Sequence, residues 1–369
     1  MTTNTTTPGA GRRTLSASLT AAVLLLAAGG AAAQSLGTYA IDEGAISVSG
    51  ISSGGYMAQQ VHVAFSGRVM GAGIIAGGPY WCAEGNVGLA LTRCMAGTAG
   101  GPPVDTLVGV TRVVAQSGDI DPVDGMRDDR VYLFSGTVDQ TVVPAVMQAL
   151  DQYYRAFVAE ENIEFVATVD APHAHVTDLP TSQQCLQACD RPADTCPDAT
   201  TCAPTGLCTF VNNCEYDTAG AILAHIYGDL EPRTEPSRDN LLTFDQGAFV
   251  DDPASHSMAE TGHVYVPAAC RSGDTDCRLH VAFHGCLQAD ERIGDAYYWG
   301  AGYNGWAEAN DIVVLYPQVV RSLLPVNPQG CWDWWGYDSV YYYRRQGTQM
   351  QAVNAMIDRL VGADAAAAQ

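Results

Sequence analysis

The sequence predicts an α/β fold built on a mainly parallel sheet, and three observations lead there. Strand-like runs alternate along the chain with runs of helical periodicity, the pattern that strand–helix–strand units produce. Hydrophobic residues make up 47% of the chain and charged ones 16%, which is the composition of a globular protein. No internal repeat and no Thr/Ser/Pro-rich linker divides the 369 residues, so one large domain is expected over 34–369.

Residues 1–33 stand apart from that domain. Arg12 and Arg13 precede an apolar run over 19–28, and small residues then lead to Ala31-Ala32-Ala33. That is the layout of a secretory signal with an A-x-A cleavage site, and its apolar core is too short to span a bilayer. The arginine pair fits either the general or the twin-arginine export route. No later run is long and apolar enough for a membrane helix, so a membrane protein is excluded. Beyond the signal, apolar and β-branched runs predict strands over 45–49, 69–75, 131–135, 163–169, 264–267, 279–283 and 312–316. Helices are predicted over 53–65, 144–159, 217–227 and 348–361. In the second of these, Val146, Leu150, Tyr153, Tyr154 and Phe157 recur at helical spacing.

Charge and cysteine content narrow the function. The 18 basic residues are all arginine and stand against 40 acidic ones, a net charge of −22. Loss of the signal removes two arginines and no acid. Such a surface repels phosphate backbones, which excludes nucleic acid as a partner and favours a neutral substrate over a polyanion. Twelve cysteines behind a signal read as disulfides, at 82, 94, 185, 189, 196, 202, 208, 214, 270, 277, 286 and 331. Proximity pairs Cys82 with Cys94 and Cys270 with Cys277. The cluster over 185–214 reads as a disulfide-stapled insertion. A zinc site there is the competing reading, but no C-x₂-C pair is present and the compartment is oxidising.

The chemistry starts at Gly50-Ile51-Ser52-Ser53-Gly54. A strand, then G-x-S-x-G, then a helical run is the context of a nucleophile elbow, with Ser52 on the tight turn and small neighbours at 50 and 54. The helix N-terminus directs backbone N–H groups at a developing oxyanion. A serine nucleophile needs a histidine base and a carboxylate to orient it. Asp139 follows the strand over 131–135. Taken alone it reads better as a helix N-cap or Asx-turn residue. The strand over 163–169 leads to His173 and His175, and both satisfy the position expected of the base. His62 and His225 fall inside predicted helices and read as packing or surface residues. The order Ser, Asp, His, each behind a strand, is that of the α/β-hydrolases.

One part is out of place. In the usual order a His-Gly oxyanion loop precedes the elbow, but only about 18 residues separate the cleavage site from Ser52. Instead His284-Gly285-Cys286 ends a late strand, followed by another strand and a terminal helix. A circular permutation, with the chain opened ahead of the elbow strand, accounts for this order.

Together these residues resemble the secreted poly(3-hydroxybutyrate) depolymerases of the circularly permuted, single-domain α/β-hydrolase type. The resemblance runs from about Ser47 to about Val361. Its signatures are Gly50 to Met57, Ala76 to Tyr80, Phe134 to Asp139, Asp217 to Ala221, His280 to Gln288 and Gly330 to Tyr337. It implies Ser52 as nucleophile, Asp139 as orienting acid and His173 as base, with His175 standing where the family carries an aromatic residue. It implies an oxyanion hole from the N–H groups of Ser53 and Cys286, and a disulfide between Cys286 and Cys331. The cysteine cluster between Cys189 and Cys208 is longer than the family pattern.

Five of the six tryptophans lie between 299 and 335, most of them expected in the core. Of Trp332, Trp334 and Trp335, one or two are expected to line subsites, because an aliphatic polyester needs flat apolar contact. The expected activity is ester hydrolysis on a polyhydroxyalkanoate through an acyl-enzyme, with no metal and no organic cofactor. Asp119, Asp121 and Asp124 do not have the spacing of a calcium loop and read as a solvated turn. No separate polymer-binding module is expected, so amorphous polymer is expected to be degraded better than crystalline. A feruloyl- or acetyl-directed esterase is the nearer rival, argued against by motif order. A non-catalytic binding protein is the more distant one.

Overall fold

A computed structural model describes residues 1–7, 9, 34–186, 208–273 and 275–363. Residues 8 and 10–33 of the expected signal segment and Cys189, Cys196 and Cys202 lie outside the described residues. From Ala33 onward the chain forms one compact unit. Its eight-stranded sheet contains β1 (Ile41–Ile51), β2 (Val69–Ile75), β3 (Arg130–Phe134), β4 (Ile163–Val166), β8 (Leu241–Asp245), β9 (Thr261–Tyr265), β10 (Cys277–Phe283) and β11 (Ile312–Tyr316). A separate small sheet is made of β5 (His175–Thr177), β6 (Gln183–Gln184) and β7 (Val211–Asn213).

The order across the large sheet is β4-β3-β2-β1-β10-β11-β9-β8. From β4 to β11 every pairing is parallel, while β9 runs antiparallel to β11 and to β8. The strand predicted over 264–267 therefore runs antiparallel, next to the edge of the sheet, and the edge strand β8 beyond it was not predicted.

Side-chain alternation along the strands divides the core in two. Val131 and Leu133 face one layer and Tyr132 and Phe134 the other. Helices Ser53–Ala64, Val104–Gln116, Pro144–Tyr154 and Thr348–Val361 cover the first face. Thr218–Tyr227 and Tyr303–Ala309 cover the second. Helix Val104–Gln116 was not predicted. Its valines favour strands, but Leu107, Val108, Thr111 and Val114 fall on one helical face and are buried, so packing overrides propensity.

Four disulfides join described residues. Cys82–Cys94 and Cys270–Cys277 are the local pairs, Cys286–Cys331 ties the His-Gly loop to the tryptophan-rich segment, and Cys185–Cys214 closes the base of the insertion. The 119–121 turn differs from its expectation. Asp119 and Asp121 pair with Arg344 and Arg345 at 2.7 and 2.6 Å, so the turn is tied to the segment ahead of the last helix instead of being simply solvated. Among the described residues no group of three His, Cys, Asp or Glu could hold a metal ion, and no helix is long and apolar enough to cross a membrane. The last helix returns to the start of β1: Tyr39 donates its N–H to the Leu360 carbonyl at 2.9 Å, and the Thr38 hydroxyl donates to that of Arg359.

Candidate active site

Ser52 sits between β1 and the helix Ser53–Ala64 with φ 57° and ψ −123°, a left-handed backbone that a residue with a Cβ adopts only under constraint. The constraint is close packing. A Cβ at Gly50 would lie 2.2 Å from the Gly54 carbonyl oxygen, and one at Gly54 would lie 2.2 Å from that of Phe283. Both glycines of G-x-S-x-G are thus required by the approach of helix and β10 to the turn. The Ser52 N–H donates to Ile75 O at 2.9 Å, and Ser52 O accepts from Tyr56 N at 2.9 Å.

The loop after β10 passes directly beside the elbow. A Cβ at Gly285 would lie 3.2 Å from both Ile51 O and the Ser52 Cβ. His284 is fully buried, and burial lowers its pKa to about 4, so the ring is neutral. Its Nε2 accepts the Val319 N–H at 3.2 Å, which leaves Nδ1–H to donate to Gly285 O at 2.7 Å. The Cys286–Cys331 disulfide holds the next residue. Neither the Ser53 N–H nor the Cys286 N–H has a backbone acceptor among the described loop and cap contacts. For Ser53 this follows from its place in the first helical turn.

On the other side of β1, the loops after β3 and β4 meet. Thr137 donates its N–H to Val169 O at 2.9 Å, and a Cβ at Gly136 would touch Ala171 O. This contact brings Asp139 Oδ2 within 2.8 Å of His173 Nδ1. Asp139 Oδ1 accepts the N–H groups of Thr141 and Val142 at 2.8 and 3.0 Å, so the Asx-turn and the carboxylate partner of histidine are the same residue. The Asp139 side chain is 1% exposed and that of His173 is 13% exposed. Among the described residues Ser52 Oγ makes no hydrogen bond. Oγ and His173 are therefore not hydrogen-bonded to each other.

His175 faces elsewhere. It is buried, its Nε2 donates to Ala301 O at 2.8 Å, and burial lowers its pKa to about 4. Its Nδ1 has no partner. Of the two histidines that the sequence offers, only His173 meets a carboxylate. His62 lies between Tyr154 and Asp129, and His225 meets the Asn162 carbonyl, both away from this site.

Ser52 and Cys286 open onto a cavity of about 600 Å³ whose wall, among the described residues, carries no charged side chain. Tyr56, Met95, Val142, Trp334 and Trp335 supply much of its surface, with Pro325 to Gln329 along one side. Trp334 stacks on Tyr56 with ring centroids 4.0 Å apart, and Trp335 meets Trp334 edge-on. Trp332, by contrast, is fully buried against Phe283 and lies outside the cavity wall. The turn is organised by Asp333, whose carboxylate accepts the N–H groups of Gly336, Tyr337, Asp338 and Ser339. Burial raises the Asp333 pKa to about 6, against the pull of those donors. Met95 and the 325–329 loop carry no motif and were not singled out in the sequence, and Tyr56 entered only as part of the Gly50-to-Met57 signature with no wall role attached.

These features have counterparts in known proteins. A poly(3-hydroxybutyrate) depolymerase of Delftia acidovorans is 42% identical over 332 residues, which are 89% of this chain and 62% of the relative. A polyhydroxybutyrate depolymerase of Talaromyces funiculosus is 34% identical over 341 residues, covering 89% of this chain and 93% of the relative. The chain belongs to the poly(3-hydroxybutyrate) depolymerase family. Two solved depolymerase structures match with a TM-score of 0.76 at 32% identity, covering 89% of this chain and 99% of each neighbour. One is the enzyme from Penicillium funiculosum, and the other is a serine-to-alanine variant complexed with R3HB trimer. No protein-family model matches the chain. The depolymerase fold is thus established here with its α/β sheet, and the chain spans about 62% of the length of the Delftia relative.

Proposed function

We propose that the chain is a secreted serine esterase that hydrolyses poly(3-hydroxybutyrate) or a related polyhydroxyalkanoate. The observation that carries this is a strained Ser52 that opens onto an uncharged, aromatic-walled cavity, together with an Asp139–His173 pair in the loops after β3 and β4. Ser52 Oγ attacks the ester carbonyl carbon as His173 Nε2 takes its proton. Asp139 holds Nδ1–H and steadies the imidazolium. The N–H groups of Ser53 and Cys286 receive the oxyanion. The tetrahedral intermediate collapses, and the alcohol of the leaving chain departs with the proton from His173. Water then attacks the acyl-enzyme with His173 again as base, releasing the acid and restoring Ser52. Trp334 and Trp335 offer flat apolar subsites to a neutral polyester, and Trp332 is left out because it is core.

The relatives that carry the depolymerase name and the trimer complex of the solved neighbour support this substrate class. Four disulfides suit an oxidising, extracytoplasmic compartment. A circular permutation is supported by two features. The late strand β10 pairs with the elbow strand, with β11 beyond it, and the last helix is hydrogen-bonded to the residues ahead of β1.

The test is clearing of an amorphous poly(3-hydroxybutyrate) suspension by wild type and Ser52→Ala, with a short-chain nitrophenyl ester in parallel. Clearing and ester cleavage that both vanish in the variant are expected. Cleavage of the small ester with the polymer untouched would replace this reading with a general carboxylesterase.

A further inference from the structure

We infer that Gln288 is a positioning residue: its amide fixes the oxyanion loop and the His173 loop in one register through the base of the cysteine-rich insertion. The inference rests on the esterase reading and adds a residue to which no role attaches otherwise. Gln288 is 2% exposed and lies outside the cavity wall, two residues beyond Cys286. Its Oε1 accepts the Gly285 N–H at 2.7 Å. That bond turns the Gly285 N–H away from the substrate and sets the peptide plane from which Cys286 follows. Its Nε2 donates to the carbonyls of Thr209 and Phe210 at 3.0 and 3.1 Å.

Those carbonyls lead to the base. Phe210 O also accepts the N–H of His175 at 2.8 Å, and His175 stands two residues after His173. The far side is held in turn. Both the N–H and the hydroxyl of Thr209 donate to Gln183 Oε1, at 2.6 and 2.7 Å, and Cys185–Cys214 closes the segment that contains Thr209 and Phe210. Cys286 therefore sits between two anchors. The disulfide to Cys331 and the Leu287 N–H to Gln329 O, 2.7 Å, hold it on the cavity side. Gln288 holds it on the side of the insertion. Only a neutral amide serves: a carboxylate would face two carbonyl oxygens, and an apolar side chain would leave the Gly285 N–H buried without a partner.

The experiment uses the full chain, a soluble nitrophenyl ester and a trifluoromethyl ketone as transition-state analogue. Gln288→Ala is expected to lower kcat roughly ten- to a hundredfold with KM within about twofold, and to weaken the analogue by the same factor. Gln183→Ala, remote from the cavity, is expected to act in the same direction more weakly. The double variant should be little worse than Gln288→Ala alone. A variant that melts earlier but keeps wild-type kcat and analogue affinity while folded overturns the inference and leaves the esterase reading intact. If Gln288→Ala fails to fold, Gln183→Ala decides by the same two readouts. A wild type inert towards the ester removes the esterase reading, and this inference with it.

Discussion

The two sides of the elbow strand are built on different principles. On the side of β10, backbone meets backbone. Gly50 and Gly54 admit no Cβ, one at Gly285 would crowd the elbow, Ser52 carries a left-handed φ, and a disulfide and a neutral histidine lock the loop. On the side of β3 and β4, the backbone bond from Thr137 to Val169 and the close approach of Gly136 to Ala171 are joined by the side-chain hydrogen bonds of Asp139, and residues between the loops, such as Val138, are exposed. The first side is an exercise in shape, where a methyl group breaks the fold. The second is an exercise in proton placement, where a side chain can be removed with the fold intact.

The largest expected effects belong to the chemistry. Ser52→Ala and His173→Ala should each lower kcat by roughly 10⁴- to 10⁶-fold while circular dichroism and melting stay near wild type. His175→Ala should do the reverse, lowering the melting temperature and leaving kcat of the folded fraction within an order of magnitude. Next comes Gly54→Ala. Its methyl would collide with backbone on β10, so a loss of about 3 kcal/mol or more is expected, read by denaturant unfolding. A neutral result would mean that the shape side is softer than its geometry. Removing the Cys286–Cys331 bridge by a double Ala substitution should cost about 2–4 kcal/mol, again by denaturant unfolding.

The smallest effect is a pH slope. His280 is buried between Ser47 and Ser49, and burial lowers its pKa to about 3, below the ordinary imidazole value of 6.5. The unfolded chain therefore binds the proton first. The neutral ring contributes stability above about pH 6.5, and that contribution is lost as pH falls from there towards 3. His280→Asn should flatten the decline of unfolding free energy across that window by up to one proton, measured by melts in a pH series. An unchanged slope would show that the ring gains its proton without unfolding.

Motif and period made much of this legible. The parallel strands from 69–75 to 312–316 announced themselves as apolar β-branched runs, and Ser52, Asp139 and Cys286 each stood just past a strand. The choice between His173 and His175 depended on which ring meets Asp139, a contact between loops that no local pattern encodes. The antiparallel direction of β9 was hidden for a like reason, since strand direction is set by partners. Helix Val104–Gln116 was hidden by its β-branched content, and Met95 and the 325–329 loop because cavity walls have no period. Trp332 and Trp334 lie two residues apart in one motif, yet only packing separates core from wall.

The late arrival of β10 bears on how the chain comes together. The strand that carries Ser52 emerges early from the ribosome, yet its partner on one flank, from Ser47 opposite His280 to Gly50 opposite Phe283, is made more than two hundred residues later. Until then the central strand presents a bare apolar edge, and the pairing that completes the elbow has very long loop closure and high contact order. The proposed nucleophile is thus among the earlier residues synthesised and among the last to acquire its geometry. Slow, late completion of the sheet makes the unfinished chain inert and leaves it exposed to aggregation.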